Sequence, residues 1–143
     1  INMILPTESN TSASNNKITS IWLGPDEWMI FDNNKSNKDT NNYEMENILY
    51  NSISKNNLGA IVDVSDQLVM LELKGKLIYE LFSSGSPFNF NEFRKKKGST
   101  TQTLLNHIGV IIYHKEEDYV NLFVRRSFSE HLVSWINDTI SRL

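Results

Sequence analysis

Cysteine is absent from the 143-residue chain, and disulfides, thiolate nucleophiles and cysteine metal sites are absent with it. That absence fits a reducing compartment, so the cytoplasm is the expected location. No apolar run approaches the roughly 20 residues of a membrane-spanning helix, and the N-terminus lacks the basic-then-apolar pattern of a secretory signal. A soluble protein is expected. The chain opens on Ile1 rather than Met, so its first residues carry no argument. Positive charge is not in excess either: 14 Lys and Arg stand against 17 Asp and Glu, for a net charge of -3. That balance offers no global attraction to nucleic acid or to an anionic membrane. The six glycines, Gly24, Gly59, Gly75, Gly85, Gly98 and Gly109, are scattered singles, which excludes a glycine-rich phosphate loop.

What is present suffices for one core. A hydrophobic share of 39% in 143 residues supports one compact domain and is too little for two. Thr7 to Asn16 is Ser/Thr/Asn-rich with Ala13 as its one apolar side chain, too poor in buriable surface to offset the entropy of ordering it. Residues 1–17 are therefore read as a flexible arm and residues 18–143 as a single α+β domain. Two apolar runs between Ile18 and Phe31 flank Gly24-Pro25-Asp26-Glu27, a turn signal that predicts a β-hairpin. After the polar stretch Asn33 to Asn42, Tyr43, Met45, Ile48, Leu49 and Ile53 recur at helical spacing.

Ala60 to Val64 is apolar and β-prone, and Leu68 to Leu73 alternates at period two, so the two read as a second pair of strands. Leu77, Ile78, Leu81 and Phe82 share one side of a helix that Gly85 and Pro87 end. Phe88 to Gly98 reads as irregular. Thr101 to Leu105, Val110 to His114 and Tyr119 to Val124 are further strands, the last two forming a hairpin across Lys115-Glu116-Glu117-Asp118. At the C-terminus, Ser127 and Glu130 have the spacing of a capping box, ahead of an apolar face of Phe128, Leu132, Trp135, Ile136 and Ile140. Helices segregated against a mainly antiparallel sheet define an α+β fold with about three helices.

Chemistry-bearing patterns are sparse. His107, His114 and His131 are widely spaced, and none has a second ligand at metal-binding distance in sequence. His114 and His131 are read as surface histidines, because a catalytic base needs a positioned partner. Asp63-Val64-Ser65-Asp66 lacks the glycine context of a nucleophile elbow and the ligand count of a calcium loop, so it reads as a tight turn. Arg94-Lys95-Lys96-Lys97 reads as a solvated basic loop. Catalytic, cofactor and metal residues are thus assigned to none. Trp22, Trp28 and Trp135 supply either core or interface area, and Arg125-Arg126 offers bidentate donors for a partner carboxylate or for local structure. Trp22, Trp28, Arg125 and Arg126 are the candidate partner-interface residues.

Five segments together resemble the gamma subunit family of heterotetrameric sarcosine oxidase, a relative of the folate-binding aminomethyltransferase fold. They are Trp22-Leu23-Gly24-Pro25-Asp26-Glu27-Trp28, Val62-Asp63-Val64-Ser65-Asp66, Leu71-Glu72-Leu73-Lys74-Gly75, Thr101-Gln102-Thr103-Leu104-Leu105 and Val124-Arg125-Arg126-Ser127-Phe128. They follow the family's order from about Ile18 to the C-terminus. The chain departs from the family at Ser86-Pro87-Phe88-Asn89, where a Cys-Pro-Leu-Asp-like segment is usual.

The resemblance implies a non-catalytic subunit of a complex that oxidises sarcosine to glycine, releases hydrogen peroxide and passes the methyl carbon to tetrahydrofolate. FAD, FMN, NAD, zinc and the folate site would then belong to the other subunits, and this chain would pack chiefly on the large alpha subunit. The rival reading is a free-standing folate-binding, one-carbon transfer domain. There Asp63 or Asp66 would face the pterin, and Arg125 or Arg126 would hold the glutamate tail. A generic interaction domain is the third reading.

Overall fold

A computed structural model describes residues 3–33 and 44–143. Within them a three-stranded antiparallel sheet is built from β1 (Ser12–Ser14), β2 (Ile18–Gly24) and β3 (Glu27–Asp32), in that order across the sheet. Pro25 and Asp26 alone separate β2 from β3, so the turn chemistry sets the hairpin. The short helix α1 (Glu44–Leu49) follows and runs into one wider turn at Tyr50–Ser54. Tyr43 and the polar stretch 34–42 lie outside the described residues.

A second sheet has the order β4-β7-β6-β5, all antiparallel, from β4 (Leu68–Lys74), β5 (Thr100–Leu105), β6 (Ile108–Glu116) and β7 (Tyr119–Arg125). Asn106 and His107, both at positive φ, close the β5–β6 hairpin in two residues. Asp118, also at positive φ, turns β6 into β7. The helices α2 (Ile78–Gly85) and α3 (Arg126–Ile140) complete the fold. The expected α+β class forms, with three α-helices among the described residues.

Strand alternation assigns the faces of the larger sheet. Val69, Leu71 and Leu73 of β4, Val120, Leu122 and Val124 of β7, and Val110 and Ile112 of β6 point one way and meet Ile78, Leu81, Phe82, Leu132 and Ile136 of the two helices. Each side chain buried as fully as Leu122 or Phe82 contributes about 1.5–3 kcal/mol. Gly85 brings the helices together: a Cβ there would lie 2.6 Å from two carbons of the Trp135 ring. The opposite face presents Tyr113 and Phe123 to Ile21, Met29, Leu23 and Phe31 of the smaller sheet. Phe31 contacts both rings, at centroid distances of 6.1 and 5.0 Å. The layers are therefore helices, four strands, three strands.

Five local expectations differ. The arm expected over residues 1–17 contributes a strand, because polar groups tie it down where apolar area is lacking. Thr11 accepts from the Trp22 backbone N–H and Asn10 from that of Thr100, while the Ser12 hydroxyl donates to the Gly98 carbonyl at 2.6 Å. Gly98 has φ +86 and its missing Cβ would sit 3.1 Å from that hydroxyl, so glycine serves both conformation and approach. Ala60 to Val64 forms no strand: β4 takes β7 as its neighbour, and Val62 stays 75% exposed. The capping box does not form either. The helix starts at Arg126, its N-cap is Arg125 without a side-chain bond, and Ser129 bonds the Arg126 carbonyl. Phe128 and Ile140 consequently fall outside the buried stripe that holds Leu132, Ile136 and Thr139. His114, expected at the surface, is 3% exposed, because β6 directs it to the helix-covered side beside Phe93 and Tyr79.

Candidate docking surface

The four candidate interface residues fall on two different sheets. Trp22 and Trp28 are cross-strand partners in the β2–β3 hairpin. Both are half-buried, on the side of the small sheet opposite Ile21 and Met29. The Trp28 indole donates to the Pro6 carbonyl at 2.7 Å, which satisfies its one polar atom and holds the N-terminal segment across the hairpin. Trp135 is half-buried against Gly85. All three tryptophans thus serve packing within the chain.

Arg125 and Arg126, adjacent in sequence, have different surroundings. Arg126 donates its backbone N–H to Gln67 and its Nε to the Asp66 carbonyl, both at 2.9 Å. Its guanidinium also lies 3.7 Å from the Asp66 carboxylate. Such an exposed pair adds about 0–1 kcal/mol, and the hydrogen bonds fix the β7–α3 junction onto the turn before β4. Asp63 in that turn accepts the Ser65 backbone N–H at 2.9 Å. Hydrogen bonds from the Ser65 side chain and backbone hold its carboxyl below the usual carboxylate range. Of the groups that a folate reading would use, Asp66 and Arg126 are therefore engaged with each other, and Asp63 is engaged with Ser65. Arg125 is exposed and its guanidinium has no partner among the described residues.

Beside Arg125 the smaller sheet stops covering the larger one. The uncovered end is an open groove of about 500 Å³, floored by Leu68, Leu104, Ile111 and Phe123 and bordered by Gln102 and Arg125. One residue from each strand reaches this floor. Leu104 is 46% exposed, and Met70, on the same side of β4, is 38% exposed. The Gln102 amide donates to the Leu23 carbonyl at 2.8 Å, which ties the tip of β2 to the groove's border. Gly109 also borders the groove, and a Cβ there would meet nothing within 4 Å. Among the described residues no acidic side chain lines it. Sequence reading missed this surface because its floor comes from four separate strands; alternation within β5 and β6 was the available signal.

On the helix side, His114 places Nδ1 3.2 Å from the Phe93 carbonyl. A carbonyl only accepts, so Nδ1 donates this bond. The His114 Nε2 and the Tyr79 hydroxyl are buried without hydrogen-bond partners among the described residues. Burial pushes Tyr79 up to about 12, against the opposing charge of Arg94, which lies over its ring. Neither this groove nor a second one between the N-terminal segment and Lys96–Ser99 borders His114. Tyr119 is also raised to about 12, by burial first and then by donating to Glu72 at 2.6 Å. Among the described residues no group of three His, Asp or Glu is placed to hold a metal ion, and no helix is long and apolar enough to cross a membrane.

Comparison with known proteins bears on this architecture. The chain is 27% identical over 124 residues to the sarcosine oxidase subunit gamma of Corynebacterium sp. (strain U-96), an alignment covering 85% of this chain and 55% of that protein. The chain thus matches little more than half the length of that curated relative. Its fold is similar to a chain of the heterotetrameric sarcosine oxidase from Corynebacterium sp. U-96, solved in complex with pyrrole 2-carboxylate. There the TM-score is 0.80 at 21% identity, covering 98% of this chain and 68% of that one. The model of the sarcosine oxidase gamma subunit family matches residues 2–142, and the chain belongs to that family.

Proposed function

We propose that this chain is a non-catalytic structural subunit of a cytoplasmic sarcosine oxidase complex, docked chiefly on the large alpha subunit. In that complex sarcosine is oxidised to glycine with release of peroxide, and the methyl carbon passes to tetrahydrofolate. The FAD, FMN, NAD, zinc and folate sites lie on the partner subunits. The observation that carries the reading is the bare apolar end of the four-stranded sheet, in a chain matched almost throughout by the gamma subunit family. Apolar area left exposed on a folded domain is stabilised by burial against a partner, and obligate interfaces of this kind bury more than about 2,000 Å². Trp22, Trp28, Arg125 and Arg126 remain the proposed contact residues, with Arg126 already engaged by Asp66. Co-expression of the chain with the large subunit, followed by pull-down, tests this. Stable co-purification is expected, and a clean failure to associate would remove the reading.

A further inference from the structure

We infer that the groove at the open end of the four-stranded sheet is the docking point itself, and that its occupant is an apolar side chain followed by a carboxylate on the larger partner subunit. The inference rests on the proposed docking role and adds the face and the chemistry of the contact. Leu68, Leu104, Ile111 and Phe123 offer an apolar floor, which favours an aliphatic or aromatic anchor. Arg125 stands at its border with an exposed guanidinium that has no partner among the described residues, while the next residue is held by Asp66. With no acid among the described lining residues, Arg125 gives the groove a positive charge that no described neighbour compensates. Its complement is a carboxylate set beside the anchor, where the planar fork of Arg binds it bidentately.

The same charge argues against a second copy of this chain as the occupant. A two-fold contact places the same patch on both sides, which would set one Arg125 against another across an apolar seam. Like charges in that position are unfavourable. An anionic partner has no such conflict.

Gly109 supplies a clean way to test occupancy. A Cβ added there meets nothing within 4 Å, so Gly109→Phe starts its side chain from open space and directs the ring into the groove. Arg125→Glu reverses the charge, and Arg125→Lys keeps it while losing the fork. Val133→Asp, on the exposed edge of α3, is the control. Each variant is titrated by calorimetry against the complex of larger subunits prepared without this chain, with thermal melting to confirm the fold and light scattering to follow self-association.

Gly109→Phe and Arg125→Glu are each expected to weaken association by about tenfold or more. Arg125→Lys should fall between them and the wild type, and the control should stay within about twofold. Wild-type binding with both groove variants within about twofold of it would overturn the inference and leave the docking role standing. No wild-type binding would overturn both. A wild-type dimer that Gly109→Phe dissociates would show that a second copy, and not the larger subunit, fills the groove.

Discussion

The two faces of the β4-β7-β6-β5 sheet are both apolar and unequally covered. On one, Val120, Leu122 and Val124 of the central strand meet two helices and are almost completely removed from water. On the other, the β1-β2-β3 sheet covers Tyr113 and most of Phe123, and at its open end Leu104 and Ile111 join Phe123 in lining an open groove. The difference separates two uses of the same residue types. Area on the first face holds this chain together, and area at the open end of the second is available to hold something else.

The comparison breaks most visibly if the two faces respond alike to truncation. Leu122→Ala, on the fully covered face, should cost about 2–5 kcal/mol in chemical denaturation. Leu104→Ala, half-exposed on the other, should cost well under about 1 kcal/mol, since little area leaves water there on folding. Equal losses would mean that the groove is already buried in the free chain. Gly85→Ala sharpens the covered side, because the new methyl would sit 2.6 Å from the Trp135 ring. Overpacking of this kind costs about 1–3 kcal/mol, and a Trp135→Leu background should relieve much of it. An additive double mutant would place Trp135 elsewhere.

Alkaline pH probes the edge of the open face, where Tyr119 donates to Glu72. Its pKa stands at about 12 in the folded chain against 10.0 for the free side chain. A raised folded pKa gives a contribution that is complete below pH 10 and is lost as pH rises toward 12. Denaturation midpoints should therefore fall over that interval, and Tyr119→Phe should flatten the fall, leaving the part due to Tyr79 and Tyr113, which burial also raises. An unchanged slope in Tyr119→Phe would remove the Glu72 contact from the account. The smallest effect is expected at Ser127. Because the helix begins at Arg126 with no side-chain cap, Ser127→Ala should change stability by less than about 0.5 kcal/mol. A loss near 1 kcal/mol would restore the capping box.

These contrasts also mark what was legible in the sequence. Turn chemistry at Pro25-Asp26 and period-two alternation at Leu68–Leu73 are local signals, and the β2–β3 hairpin and β4 followed from them. The same alternation cannot name a strand's partner: it suggests Ala60–Val64 beside β4, and β7 takes that place. His114 follows an apolar run and precedes acidic residues, which suggests the surface; its burial depends on Phe93 and Tyr79 arriving from the intervening loop and helix. Polar ties such as Ser12 to Gly98 join residues far apart in the chain, and composition alone made that segment an arm. Of the interface candidates, Arg125 has a guanidinium without a partner among the described residues and Arg126 a structural one, a distinction set by the position of Asp66 rather than by the Arg-Arg pair itself.

Hydrogen–deuterium exchange, compared between the free chain and the assembled complex, tests most directly whether this chain contributes contact area to a neighbour. Assembly should slow exchange at the open end of the sheet, in peptides spanning 102–111 and 123–126, while the helix-covered core stays as protected as before. Identical exchange in the two states, or protection confined to surfaces away from the groove, would contradict the account.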